Sequence, residues 1–106
     1  MEQRRTRRFK LQLPLSITRS GAERMVLAGR TKNISSTGVL FTTEKEPDVT
    51  GAIEYIITLN HDGPQAVNLR CIGKIVRLER EDNRVEATPA YEVAATLERY
   101  EFVREQ

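Results

Sequence analysis

The chain has 106 residues, a length that accommodates one domain with one hydrophobic core. Apolar residues make up 39% and charged residues 30%, which is typical of a globular protein and excludes a disordered one, and no apolar run reaches the roughly 20 residues of a membrane helix. The net charge of +2 is uneven, because residues 1–32 carry nine Lys or Arg against two Glu and residues 33–106 carry eight against thirteen acidic residues.

Period-two alternation of apolar residues predicts strands along most of the chain. The first spans Phe9 to Ile17, where every second residue is apolar. Pro14 has no N–H to donate, so we expect this strand to lie at an edge or to be bulged there. Five more strands follow, at Met25–Asn33, Val39–Thr43, Ile53–Leu59, Val67–Leu78 and Tyr91–Leu97.

Turn signals rich in Gly, Pro, Ser and Asp separate these strands, and Gly38 is suited to a positive φ. The last stretch, Glu98–Glu105, is compatible with a short helix. The prediction is therefore an all-β fold, a small six-stranded antiparallel β-barrel with a short C-terminal helix as an optional addition. Residues 1–8 are expected to form a flexible basic arm and residues 9–106 the barrel domain.

Catalytic and metal-binding patterns are missing from the sequence. His61, the one histidine, lies in a turn sequence, and Cys71, the one cysteine, falls on an apolar strand face. A single cysteine forms no internal disulfide, which favours a reducing, cytoplasmic setting. Since no nucleophile, phosphate loop or metal-ligand spacing is present either, we expect no enzyme activity, no catalytic residue, no metal and no cofactor.

Two short motifs carry the functional interpretation. Arg4 and Arg8 form Arg-x-x-x-Arg directly before the first strand, and residues 33–38 read Asn-x-Ser-x-x-Gly at the end of the second. With these motifs the sequence resembles the PilZ domain family, whose signatures are an Arg-x-x-x-Arg segment and an (Asp/Asn)-x-Ser-x-x-Gly turn. The stretches RRFKLQLPL, TKNISSTGVLF, GKIVRL and YEVAATL fall in the order that this family shows.

The resemblance implies a receptor for the bacterial second messenger cyclic di-GMP. Arg4 and Arg8 would contact the phosphates and guanine edges, because a guanidinium donates paired hydrogen bonds to either group. The resemblance implies that Asn33 and Ser35 contact a guanine. It also implies that Gly38 forms the turn and, because it has no side chain, does not block the base. Arg5 and Arg7 are expected mainly to add general positive charge, and contact of either with a second ligand molecule is an additional option. Binding would order the arm and so signal to a downstream protein partner.

Two other functions remain open at this point. Some PilZ domains have lost the ligand and act as protein-interaction modules, and a basic arm on a barrel also suits nucleic acid. Single-strand binders display aromatic stacking platforms, whereas this chain has no Trp and only six Phe or Tyr in total. DNA and RNA are therefore not the expected partners. The sequence does not settle the ligand stoichiometry or the oligomeric state.

Overall fold

Seven antiparallel strands make up the fold in a computed structural model, which describes residues 11–48, 50–60, 67–81 and 90–104. They are β1 (Pro14–Ser20), β2 (Glu23–Ile34), β3 (Gly38–Thr43), β4 (Ala52–Asn60), β5 (Val67–Glu81), β6 (Ala90–Thr96) and β7 (Arg99–Arg104). These described ranges contain no helix, so none of them provides one long and apolar enough to cross a membrane.

The first six strands close into a barrel. Their order is β4-β1-β2-β3-β6-β5, and β5 pairs with β4 to complete the ring. The seventh strand pairs with the first half of β5, beside the half that pairs with β6. The predicted six-stranded antiparallel barrel is thus confirmed, and β7 extends it.

Alternating residues of all six barrel strands fill the interior, as a half-buried strand requires. The largest fully buried side chains are Tyr55 and Phe41, whose ring centroids lie 6.0 Å apart. The Tyr55 hydroxyl donates a hydrogen bond to the Thr96 carbonyl oxygen at 2.9 Å, at the end of β6. Cys71 is also fully buried, in agreement with its predicted position in the core.

The first strand differs from its prediction in place and in pairing. It begins at Pro14, and β2 and β4 flank it on both sides, so the prediction of an edge strand is wrong. Proline is tolerated because it is the first residue of the strand, where no ladder bond is lost. A register shift does occur, between Ile17 and Arg19, and Leu11 lies outside the strand with 44% exposure.

The C-terminal segment is a strand, so the alternative of a helix over Glu98–Glu105 is wrong. β5 is 15 residues long, and β6 pairs only with its Ile75–Glu81 half. The first half of β5 pairs with β4 along one edge, and β6 does not extend along its other edge. β7 pairs with that other edge from Val67 to Ile72. Tyr, Phe and Val in β7 favour a strand as well.

Candidate functional site

The turn after β2 is organised by Ser35. The Ser35 hydroxyl oxygen accepts hydrogen bonds from the N–H groups of Thr37 at 3.3 Å and Gly38 at 3.1 Å. The N–H of Ser35 donates to the Gly38 carbonyl oxygen at 2.9 Å, which closes the turn. Such local bonds are why serine favours turns. The predicted motif therefore forms one rigid polar corner between β2 and β3.

Gly38 is required at this corner because it has no side chain. The expectation that it has a positive φ is wrong. Within the described ranges only Gly21 and Gly51 have positive φ. A Cβ on Gly38 would lie 2.9 Å from the Ala95 carbonyl oxygen, a distance that Cβ atoms do not normally reach. Glycine is needed here because β3 runs very close to β6 at its first residue.

A register shift in β2 turns Asn33 outward. Thr31 pairs with Phe41 and both are buried, so strict alternation would also direct Asn33 inward. The pairing shifts between Thr31 and Asn33, and Asn33 lies opposite Leu40, on the outer face of the barrel. A bulge commonly re-aims a side chain in this way. The Asn33 side chain makes no hydrogen bond to any residue of the described ranges.

A second register shift, in β5, turns Arg77 outward. Ile75 packs against the core and lies opposite Ala95, so alternation would again place Arg77 inside. The pairing shifts between Ile75 and Arg77, and Arg77 lies opposite Ala94 on the outer face. The next residue, Leu78, then returns to the core opposite the buried Val93.

The two shifted residues line one open groove of about 370 Å³ on the outside of the barrel. The polar corner forms one wall, small residues of β6 form the floor, and Arg77 forms the opposite wall. The lining residues are Asn33, Ser35, Thr37, Gly38, Val39, Leu40, Val76, Arg77, Ala94, Ala95 and Thr96. Its volume lies within the 300–1,000 Å³ of ordinary ligand pockets.

A chain of charges borders the groove. Glu92 on β6 accepts from Lys32 at 2.6 Å and from Arg77 at 3.3 Å, and Arg77 also lies 3.7 Å from Glu79. The hydrogen bond from Lys32 holds the pKa of Glu92 below its ordinary value, and the same bond raises the pKa of Lys32. The Arg77 side chain remains 52% exposed, so its remaining donors face solvent and the groove.

The structure brings together part of the predicted site. Asn33, Ser35 and Gly38 share the groove, whereas Arg4, Arg5, Arg7 and Arg8 lie outside the described residues. The chain that follows those arginines is held on β2, because the Thr31 hydroxyl donates to the Leu11 carbonyl oxygen and accepts from the Leu13 N–H.

Sequence reasoning missed Arg77. In the GKIVRL stretch, strict alternation from Leu69 to Ile75 predicts an inward Arg77. An arginine in that inward position, followed by an apolar residue, is the signal that could have revealed a bulge, because an unpaired charge is rarely buried.

The one cysteine is buried inside the barrel. Burial raises the pKa of the Cys71 thiol to about 12, which keeps it protonated and unreactive. The same ranges hold no group of three or more His, Cys, Asp or Glu that could bind a metal ion. His61 lies outside the described residues.

Comparison with known proteins identifies the family. No curated protein and no solved structure matches the chain. The family model described as PilZ domain matches it over residues 2–100. Since that match covers nearly the whole chain and both the barrel and the polar corner are present, the protein belongs to the PilZ domain family, whose members are cyclic di-GMP receptor domains and not a known family of enzymes.

Proposed function

We propose that this protein is a cytoplasmic bacterial receptor for cyclic di-GMP. The ligand bridges Arg4 and Arg8 of the N-terminal segment to the groove that contains Asn33, Ser35 and Gly38. Binding orders the basic segment on the barrel, and a downstream protein reads its new position. Arg5 and Arg7 add positive charge beside the phosphates and provide further contacts.

The observation that carries the proposal is the pair of register shifts. Each shift reverses the alternation of one strand, and together they turn Asn33 and Arg77 to the same groove. Bulges occur preferentially beside functional sites, where they re-aim a side chain. The barrel's other register shifts, between Ile17 and Arg19 and between Thr58 and Asn60, involve no residue of this groove, so the two shifts that meet there are what points to a site.

The chemistry of the groove suits a guanine nucleotide. The Asn33 amide has both donors and acceptors, as the Watson–Crick edge of guanine requires. Arg77 donates from the opposite wall, where a phosphate or the guanine O6 and N7 atoms would accept. Ala94, which lies between Leu40 and Arg77 on the outer face, keeps the floor low enough for a flat ring.

The short chain segment between Arg8 and Leu11 supports a contact of Arg8 with a ligand in this groove. Leu11 is fixed to Thr31, which is two residues from Asn33. Arg8 precedes Leu11 by three residues, so its Cα lies within about 11 Å of that of Leu11. A guanidinium on a long side chain reaches several ångströms further, which is enough to meet a dinucleotide seated beside Asn33.

Glu92 competes with the ligand for Arg77. It pairs with both Lys32 and Arg77, so a dianionic ligand in the groove competes with it for the Arg77 guanidinium. Exposed ion pairs contribute about 0–1 kcal/mol, whereas a charge-assisted hydrogen bond in a site contributes about 1.5–3 kcal/mol. The exchange of partners therefore favours the ligand.

Calorimetric titration with cyclic di-GMP tests the proposal. Wild-type protein should bind, and the Arg4→Ala/Arg8→Ala variant should bind at least about tenfold more weakly, or 1.4 kcal/mol. Asn33→Ala should also lose about tenfold, while Arg24→Ala, an exposed arginine on the same strand but at its other end, should bind like wild type. The absence of wild-type binding would refute the proposal, and tight oligonucleotide binding in its place would favour the nucleic-acid alternative.

Arm ordering has its own measurement. Amide hydrogen exchange of residues 2–10 should slow when cyclic di-GMP is added, because a bound segment is protected from solvent. Binding without any change in exchange there would contradict the signalling mechanism, although it would leave the receptor assignment intact. Protection should be lost in the Arg4→Ala/Arg8→Ala variant.

A further inference from the structure

The outer edge of β7 has no strand partner among the described residues. β7 pairs with β5 along one edge only. Tyr100 and Phe102 lie opposite the core residues Cys71 and Leu69, yet they are 60% and 65% exposed. Their rings pack edge-to-face at 6.2 Å. An exposed strand edge beside apolar side chains is a template for pairing with another strand.

The other face of β7 carries an alternating row of charges. Glu54 on β4 accepts from Arg70 on β5 at 2.5 Å, and Arg70 donates to Glu101 on β7 at 3.2 Å. Glu101 ends the row at the free edge with 62% of its side chain exposed. Arg99 lies on the same face two residues earlier and has no ion pair with a described residue. The edge thus presents one anion and one cation side by side.

Two-fold symmetry restricts how two copies of this edge can pair. An antiparallel pair of identical strands has its axis perpendicular to the sheet, so one residue lies opposite its own copy. A centre at Glu101 sets two carboxylates against each other. A centre at Phe102 sets Glu101 opposite Val103. A centre at Tyr100 sets Arg99 opposite the second copy's Glu101 twice, which extends the alternating row by one cation of the second molecule, and it sets Glu98 opposite Phe102 at the two ends of the pairing. Of the three registers it is the one that pairs the charges of Arg99 and Glu101.

We propose that two copies of this chain form a dimer through antiparallel pairing of β7 with β7, centred on Tyr100. The four rings of Tyr100 and Phe102 lie together on one face, and four ion-paired residues lie on the other. The paired segment is Glu98 to Phe102 of each copy. Five residues of each copy bury less surface area than a standard stable interface does, so the dimer is weak and its population depends on protein concentration.

Oxidative cross-linking tests the register. Both cysteine variants are made in a Cys71→Ala background, because Cys71 lies directly opposite Tyr100 on β5 and would otherwise compete for the new thiol. Tyr100→Cys should form a disulfide-linked dimer under a mild oxidant, because directly opposed Cβ atoms lie about 4.5–5.5 Å apart, close to the separation in a disulfide. Phe102→Cys is the matched control: its two copies lie four residues apart along the strand, about 13 Å, and should stay monomeric. Efficient cross-linking of Phe102→Cys, or of neither variant, would overturn the proposal.

Charge reversal tests the pairing without cysteine. Sedimentation velocity over a concentration series should show that Arg99→Glu and Glu101→Arg each weaken the dimer at least about tenfold, since each creates two like-charge pairs. The double variant Arg99→Glu/Glu101→Arg should restore wild-type association, because the pairs re-form with their signs exchanged. Glu23→Arg, on exposed β2 surface, should change nothing. A monomeric wild type, or a double variant as weak as the singles, would overturn the proposal.

Discussion

Ser35 and Asn33 belong to one motif but differ in what they contact, so their alanine variants should separate two properties. Ser35→Ala removes two hydrogen bonds that the hydroxyl oxygen accepts, from the N–H groups of Thr37 at 3.3 Å and Gly38 at 3.1 Å, and one that it donates, to the Gly38 carbonyl oxygen at 3.2 Å. All three bonds are longer than usual, and water can reach the freed groups, so each is worth about 0.5 kcal/mol. The total of about 1.5 kcal/mol should lower Tm by about 6–12 °C.

Asn33→Ala removes no hydrogen bond to a described residue, so its Tm should fall by less than half as much as the Tm of Ser35→Ala. Thermal unfolding followed by circular dichroism measures both variants, with Ser36→Ala as the matched control, because Ser36 is exposed and holds no other part of the turn. Ser35→Thr keeps the hydroxyl and should recover most of the loss. An unchanged Tm for Ser35→Ala, or an equal fall for Ser36→Ala, would refute the assignment of the turn to the Ser35 hydroxyl.

Three further variants address the frame of the groove. Tyr55→Phe removes the donor to the Thr96 carbonyl and should cost about 1 kcal/mol in urea unfolding, with an unchanged m-value. Gly38→Ala brings a Cβ to 2.9 Å from the Ala95 carbonyl oxygen and should cost about 1–3 kcal/mol by the same measurement; a neutral result would mean that β3 moves freely. Glu92 has a lowered pKa in the fold, so its contribution is present above the ordinary pKa of 4.5 and is lost as pH falls. Glu92→Gln should therefore flatten the decline of stability below that pH, and an unchanged acid profile would contradict this reasoning.

The sequence predicted the strands well because most of them are half buried. Alternation locates a strand wherever one face meets the core and the other meets solvent, as in β3 and β6, whose predicted and observed ends agree within one residue. It fails at the first strand, because the apolar residue Leu11 lies beyond the barrel and is held by Thr31 instead of by a sheet partner.

The C-terminal segment shows a second kind of failure. Arg99–Arg104 has six exposed residues and therefore no burial pattern that a sequence could display. It is a strand because one edge of the first half of β5 is open for pairing. That edge is open because β6 pairs only with the second half, Ile75–Glu81. Long-range pairing supplied what the burial pattern did not, and the aromatic and β-branched residues of the segment agree with it.

Residue types and order along the chain were sufficient to establish a small barrel and a polar Asn-x-Ser-x-x-Gly corner, because turn chemistry and period-two burial are local properties. The direction of Asn33 and the presence of Arg77 in the same groove were settled by two register shifts between paired strands. A register shift depends on the partner strand and on the packing of residues such as Leu78 beyond it, and this information is not contained in either segment alone.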